Sequence, residues 1–497
     1  MTPGKRILVN TAAQYSRTLV NTCLSLYTVR LILQILGQDD YGIYSLISGI
    51  VAMILTTQRH LSYSYGQYDE SSVRKTFANS VLLHFGLSLV LVLLMLSVRN
   101  VLFGYLTIPF ERHETALTVY VLAVAMLFVT FNTSPFKALL IARENIVFIS
   151  LIEICDGFLK LFFAIVLYHL DSDKLFVYSV MMLLVYCTQF AAFTIYSVIK
   201  FKECCPGRFF LDYDGSYMKR LLGFAGWTTF GTATIVFRNQ GLAVLINHFI
   251  GTIANAAYGI AQQVYGNVAF LAGSILNAMN PQMMKAEGAG NHSRMLLLAQ
   301  KESKIILTIL SLLFIPMMQE MMPLLHAWLG AKEVSPYTPL LCQFMLGSLL
   351  LDQSTYGLHT AVQAMGKIRD YTLLIYTPKI LLIFAMWGAF KLGFGLQGAM
   401  LIYIIVETIV AILRIPYAYF RCNLNVKGYL HDVFGRMFPL LIFLFTISWG
   451  IQQLSSHPLR FIVNILITAF FGVLMAWFYV LNKEERSGLK KLLKRNY

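Results

Sequence analysis

The chain has 497 residues, of which 57% are hydrophobic and only 13% charged, and its net charge is +15. Soluble chains average about 25% charged residues, so this composition excludes an ordinary soluble globular protein. The gaps between apolar runs are short, and none could house a soluble catalytic domain.

Apolar runs of about 20 residues, enough for a helix to cross a bilayer, recur along the whole length. About 14 spans are predicted: roughly 10–36, 41–65, 77–99, 116–141, 146–168, 175–199, 217–249, 253–279, 303–325, 336–362, 370–391, 394–420, 433–453 and 459–481. The predicted fold class is therefore an all-α membrane protein. Tyr41, Tyr105, Trp328 and Tyr479 fall near span ends, where aromatic belts form. The first run carries Asn10, Gln14, Arg17 and Asn21 and has no small-residue cleavage site after a short apolar core, so no cleavable signal peptide is expected. The seven cysteines include no CxxC pair and are expected to be reduced and structural.

Orientation follows from the loops. One set of alternate gaps, with both termini, holds about 25 Lys and Arg; the opposite set holds about 6. The cation-rich set includes Lys200 to Arg220, Lys285 to Lys304, Arg421 to Arg436 and the C-terminal tail. The positive-inside rule puts both termini in the cytoplasm, and this charge calls for no nucleic-acid partner. The tail, 483–497, reads as a short basic amphipathic segment against anionic membrane lipid.

A faint internal repeat is present. Leu36-Gly37 followed by Tyr41-Gly42-Ile43 is matched by Ile250-Gly251 and Tyr258-Gly259-Ile260. Each site joins a long, partly polar helix to a second one. Two related halves of about six helices are a common transporter plan, with the substrate site between them. The expected organisation is 1–200 as a first lobe, 201–430 as a second, two added helices over 431–482, and the tail. Pro135, Pro316, Pro378 and Pro416 interrupt spans and would bend them.

The repeated helix pairs carry polar stripes. Asn10, Gln14, Arg17 and Asn21 advance in steps of four, three and four, along one helical face. The second span carries Ser45, Ser48, Thr56, Arg59 and Tyr63. The seventh carries Thr234 and Arg238, then Asn239 and Gln240; the eighth carries Gln263, Asn267, Ser274 and Asn277. Such faces avoid lipid, and an Arg at the bilayer centre costs about 2.5–3.5 kcal/mol on insertion scales. Arg17, Arg59 and Arg238 converging on one chamber would grip a phosphate or diphosphate through forked hydrogen bonds. Gln14, Asn21, Asn239, Gln240, Gln263 and Asn267 would line its polar wall.

Acids are fewer. Asp156 and Lys160, four apart in a span that also holds Glu153, can pair. Asp352 and Glu407 have no local partner, and Lys379 or Arg414 could compensate them. Asp156, Lys160, Asp352, Lys379 and Glu407 are the candidates for proton or sodium coupling, against a simple ion-pair role. No metal or organic cofactor is indicated. Asp171-Ser-Asp173 and Asp212-Tyr-Asp214 fit a loose Asp-x-Asp pattern, but both sit in short gaps.

Several segments resemble Wzx-type polysaccharide flippases of the multidrug/oligosaccharidyl-lipid/polysaccharide exporter superfamily. They are 36–44 (LGQDDYGIY), 57–62 (TQRHLS), 238–241 (RNQG), 255–261 (NAAYGIA), 280–282 (NPQ) and 326–330 (HAWLG). The resemblance runs over essentially the whole chain; the stretch between Gly49 and Thr57 is about nine to ten residues shorter than such relatives have. It implies two six-helix lobes around a cationic cavity, two further helices, and a location in the bacterial inner membrane. It also implies a non-enzymatic role: moving undecaprenyl-diphosphate-linked glycans between leaflets beside glycosyltransferases and a polysaccharide polymerase. A multidrug cation antiporter of the same superfamily is the alternative, and it would want acids on the cavity. A membrane glycosyltransferase or polymerase is a third reading, and it would want a sizeable aqueous loop.

Reporter fusions after Tyr497 and within 200–217 should both read cytoplasmic. A periplasmic signal at either point would overturn the orientation.

Overall fold

The computed structural model describes residues 3–52, 70–143, 145–201, 204, 213, 215–366, 369–454, 457, 459–483 and 485–487. These are helical almost throughout and contain no strand. The chain forms two compact units, Met1–Gly259 and Ile260–Tyr497.

The first unit contains α1 (Pro3–Ala52), α2 (Glu70–Tyr105), α3 (His113–Ala142), α4 (Ile146–Tyr168), α5 (Lys174–Lys200), α6 (Gly215–Ile250) and the start of α7 (Thr252–Gly288). Span one and span two as far as Ala52 are one helical run bent at Gly37, whose φ is 75°. The equivalent joint between α6 and α7 is Gly251, with φ 114°. Both members of the sequence repeat thus occupy left-handed backbone, which glycine adopts without a Cβ clash. The helices pack chiefly α3 on α5, α1 on α4 and α2 on α3. Gly157 lets α4 approach α1 closely, because a Cβ there would meet the Asn21 amide oxygen at 2.6 Å.

One end of this unit is tied by polar contacts. Arg112 binds Asp40 through two nitrogens and reaches Asp173 at 3.0 Å. Asp173 also caps α5 by accepting from the N–H groups of Leu175 and Phe176, and it takes the Thr115 hydroxyl. Partial burial pushes the Asp173 carboxyl up, but Thr115, the Phe176 N–H, Arg112 and the Leu175 N–H together hold it below its usual value. Its contribution to stability is therefore present above the unfolded-state value and lost as the pH falls. Asn247 exchanges hydrogen bonds with the backbone of Thr107, and His248 stacks on Tyr105 at 3.9 Å.

The second unit contains the rest of α7, then α8 (His292–Gln319), α9 (Met321–Leu329), α10 (Tyr337–Ser354), α11 (Tyr356–Ala364), α12 (Arg369–Lys391), α13 (Gly395–Cys422), α14 (Val426–Tyr429), α15 (Arg436–Leu454) and α16 (Arg460–Met475). Here the tenth span is broken at Thr355. The carbonyls of Asp352 and Ser354 accept from Arg414 and the Tyr429 hydroxyl, and the chain restarts through the Leu358 N–H bonded to the Thr355 carbonyl. A break after Gln319 has a similar basis. Glu320, fully buried, takes a two-pronged pair from Arg460 at 2.9 and 2.8 Å and a further bond from Asn464. This pins α16 to the end of α8.

Among the described residues, nine segments are long and apolar enough to cross a membrane: Ser16–Gly49, Phe77–Tyr105, Phe110–Ile141, Lys174–Lys200, His292–Gln319, Arg369–Lys391, Gly395–Cys422, Val426–Leu454 and Arg460–Val480. Helix α4 falls outside this set because it carries Glu153, Asp156 and Lys160, α10 because polar residues such as Gln343, Asp352 and Gln353 dilute it, and α11 because it is short. Exposed Leu, Ile, Val and Phe cover the outward helix faces, including Leu93, Phe162, Phe384, Ile405 and Phe470. These are the lipid-facing surfaces of a multi-pass membrane protein.

Arg460→Ala would leave the buried Glu320 carboxylate without its cation. It should lower stability by about 3–5 kcal/mol, read as thermal unfolding of the detergent-solubilised protein; an unchanged midpoint would contradict the pinning role.

Candidate functional site

The site is built on the polar stripe of α1. Gln14 and Arg17 line a cavity of about 530 Å³ with Thr130, Thr133, Ser134 and Lys137 of α3, Ile146 and Ile149 of α4, and Gln189 of α5. One turn along α1, Asn21, Ser25 and Thr28 line a second cavity of about 260 Å³ with Glu153, Asp156 and Lys160 of α4 and Tyr178 of α5.

Glu153 stands between them. Its Oε2 lies 2.8 Å from Arg17 Nη1, and its Oε1 pairs with Lys137 Nζ. Asn21 Nδ2 donates to the Glu153 carbonyl at 3.1 Å. One turn on, Asp156 Oδ2 pairs with Lys160 Nζ at 2.8 Å, as their spacing suggested, and Lys160 also lies over the Tyr186 ring. Three cations thus face two carboxylates, a surplus of one positive charge. The Lys137 side chain is 40% exposed and the Arg17 side chain 19%, so the cationic edge is the accessible one. Among the described residues, the ionisable side chains lining the larger cavity are Arg17 and Lys137.

Arg17 is therefore not the unpaired guanidinium that its stripe implied. It keeps its place on a cavity while sharing a carboxylate from the facing helix. Lys137 went unrecognised in the sequence because it lies near a span end, where snorkelling explains a lysine. Its signal was the run Thr130, Thr133, Ser134, Lys137, which falls on one face of a helix.

The other candidates are dispersed. Arg238 is buried, at 4% exposure, and its Nε and Nη2 both donate to Asn239 Oδ1 at 3.0 and 2.9 Å. It lines neither cavity. The Asn239 carbonyl accepts from the Tyr258 hydroxyl. Gln240 packs against Gly49, where a Cβ would overlap its amide. Gln263 and Asn267, in the second unit, are half-buried on α7. Arg59 lies outside the described residues, as do Asp212, Asp214 and the tail beyond 487.

The second unit gathers Asp352, Lys379, Glu407 and Arg414 into one buried cluster. Lys379 Nζ lies 3.0 Å from Glu407 Oε2 and 3.6 Å from Asp352 Oδ1. Arg414 reaches Asp352 Oδ1 at 2.6 Å and also donates to the Asp352 carbonyl and Thr355 Oγ1. Two cations balance two carboxylates across α10, α12 and α13. Asp352 and Glu407 thus have the compensating partners that the sequence could only suggest, brought from other helices.

No protein-family model matches the sequence, and no curated protein sequence matches it significantly. Solved structures do share its fold. An inward-facing multidrug resistance MATE family transporter of the MOP superfamily aligns with a TM-score of 0.65 at 14% identity, over 83% of this chain and 96% of that one. Lipid II flippase MurJ in an inward closed conformation aligns with a TM-score of 0.64 at 13% identity, over 94% and 98%. The eukaryotic MATE transporter AtDTX14 aligns with a TM-score of 0.52 at 12% identity, over 86% and 96%. The chain has the all-α, multi-pass architecture of these proteins.

Arg414→Leu removes three bonds at the helix break and should cost about 3–5 kcal/mol. Adding Asp352→Asn should recover part of that loss, because the orphaned carboxylate goes with it. Thermal unfolding of single and double variants checks this; additive losses would contradict the coupling.

Proposed function

We propose that this protein is a flippase for oligosaccharides joined through a diphosphate to a polyprenyl lipid of the undecaprenyl type. It carries them from the cytoplasmic to the periplasmic leaflet of the bacterial inner membrane for O-antigen or capsule synthesis. Alternating access moves the glycan, and glycosyltransferases and a polymerase act before and after it. The observation that supports this reading is the 530 Å³ cavity of the first unit, whose ionisable lining among the described residues is Arg17 and Lys137.

Arg17 supplies the fork that matches phosphate oxygens, and Lys137 a mobile point charge beside it. Gln14, Thr130, Thr133, Ser134 and Gln189 offer amides and hydroxyls suited to sugar hydroxyls. The polyprenyl chain stays in lipid, whose only demand is an apolar surface. Glu153 occupies the cations when no substrate is present and yields them to a more highly charged anion. Lipid II flippase MurJ, a fold relative, carries a lipid-linked substrate by its name. A multidrug transporter matches the fold equally well, so fold does not choose between the two. Cavity charge favours the glycan reading, because Arg17 and Lys137 would repel an organic cation.

The test is flipping of a diphosphate-linked oligosaccharide lipid in reconstituted vesicles, normalised to protein. Losing one charge-assisted hydrogen bond costs about 1.5–3 kcal/mol, so Arg17→Ala and Lys137→Ala should each lower transport or affinity about tenfold or more. Arg17→Lys should recover part of it. Glu153→Gln frees both cations and should tighten binding of inorganic pyrophosphate several-fold, by about 1 kcal/mol for partly exposed pairs. Wild-type flipping in Arg17→Ala and Lys137→Ala together, or export of organic cations without glycan flipping, would overturn the reading.

A further inference from the structure

The second unit contains a carboxylate that the clusters above do not use. Glu302 of α8 has no accessible surface. Its Oε1 accepts one bond, from the Thr360 hydroxyl of α11 at 3.1 Å. Its Oε2 has no hydrogen-bond partner among the described residues. Every other fully buried carboxylate of the described residues has a cation: Glu320 has Arg460, and Glu407, almost as buried, has Lys379.

Among the described residues, the surroundings supply no cation either. On α11, Tyr356 lies under the Arg414 guanidinium, and His359 is bonded to Tyr371 and Gln363. On α10 and α13, Asp352 and Arg414 satisfy one another. On α14, the Tyr429 hydroxyl is directed to Ser303 Oγ and the Ser354 carbonyl. Toward α15, Arg436 pairs with Asp432. On α8 itself, Lys304 is taken by Glu485 at 2.6 Å.

Helices α8 and α11 cross closely beside Glu302, where a Cβ on Gly357 would overlap the Ala299 carbonyl. The Gly357 N–H donates to Ser303 Oγ at 3.1 Å across the same contact. An ionised carboxylate enclosed in this way costs several kcal/mol, and a neutral carboxyl costs less.

We propose that Glu302 is a proton-binding site, and that loss of its proton opens the crossing between α8 and α11. In the closed arrangement the carboxyl is neutral. Deprotonation leaves a negative charge on Glu302 and passes the proton to solvent. The charge can be hydrated only if α11 lifts from α8, so proton occupancy and closure stabilise one another. The ligand is a proton and not an alkali cation, because the neighbouring oxygens that a cation needs are already spent. Ser303 Oγ accepts from the Gly357 N–H and is paired with the Tyr429 hydroxyl, and the Ser354 carbonyl accepts from that hydroxyl. The site is in the second unit and does not depend on the glycan-binding cavity.

The experiment is hydrogen–deuterium exchange of the α11 amides in the full-length protein in nanodiscs, corrected for intrinsic exchange at each pH. An opening that releases one proton grows about tenfold per pH unit. The wild type should show that slope, and Glu302→Gln should be flat with α11 protected throughout. Thr360→Val removes a bond made only in the closed crossing, so it should keep the slope while raising opening across the pH range. A flat wild type, a slope retained in Glu302→Gln, or opening in Thr360→Val no greater than in the wild type would each overturn the proposal. So would a response to Na⁺ replacing K⁺ at fixed pH that vanishes in Glu302→Gln, which would mark an alkali-cation site.

Discussion

A charge inside a bilayer must travel with its counter-charge. Insertion scales put an uncompensated Arg, Lys or Asp at the middle of a helix at about 2.5–3.5 kcal/mol, and this chain carries many such groups among its apolar helices. Each unit meets the constraint within itself. Glu153 is shared by Arg17 and Lys137, Asp156 holds Lys160, Glu320 holds Arg460, and the Asp352 cluster closes on itself. These pairs are also what fixes helix against helix. Lipid is as apolar as leucine, so apolar contact alone gives membrane helices little reason to choose a neighbour.

The two main clusters answer the constraint differently, and their capacities differ accordingly. The Asp352 cluster is balanced and closed, and its donors also reach a backbone carbonyl at the break between α10 and α11. Such a cluster has little left to offer a ligand. The Glu153 cluster is unbalanced by one positive charge and borders open cavities. Its partners keep part of their surface free, so an anion can compete for them at modest cost. Imbalance and access, rather than the number of charges, separate a binding site from a structural tie.

How much of this could be read in the sequence depended on distance along the chain. The α1 stripe was legible because Gln14, Arg17 and Asn21 share one helical face whatever surrounds them. The Asp156–Lys160 pair was legible for the same reason, and so were the helix joints, since Leu36-Gly37 and Ile250-Gly251 repeat in matching contexts. What crosses between helices was not. Lys137 and Arg17 are 120 positions apart, and only the packing of α1, α3 and α4 brings one carboxylate to both. The break at Thr355 was hidden too, because its cause is Arg414, more than fifty residues downstream. Glu302 gave no signal, since it sits among Lys301, Ser303 and Lys304 and reads as a solvated helix end. Burial by α11 is what sets it apart.

Helix α4 has a further consequence for how the chain is made. With Glu153, Asp156 and Lys160 in a 23-residue helix, it is a poor candidate for spontaneous partitioning from the translocation channel into lipid. Asp156 and Lys160 neutralise each other on the same turn as soon as the helix forms. Glu153 has no such help from its own segment. Its two cations lie on α1 and α3, both of which are synthesised earlier. The order of elements along the chain therefore matters as well as their final packing. By the time the ribosome delivers α4, the positive charges that make it tolerable in the bilayer are already there, so its entry is conditional on the correct insertion of its predecessors.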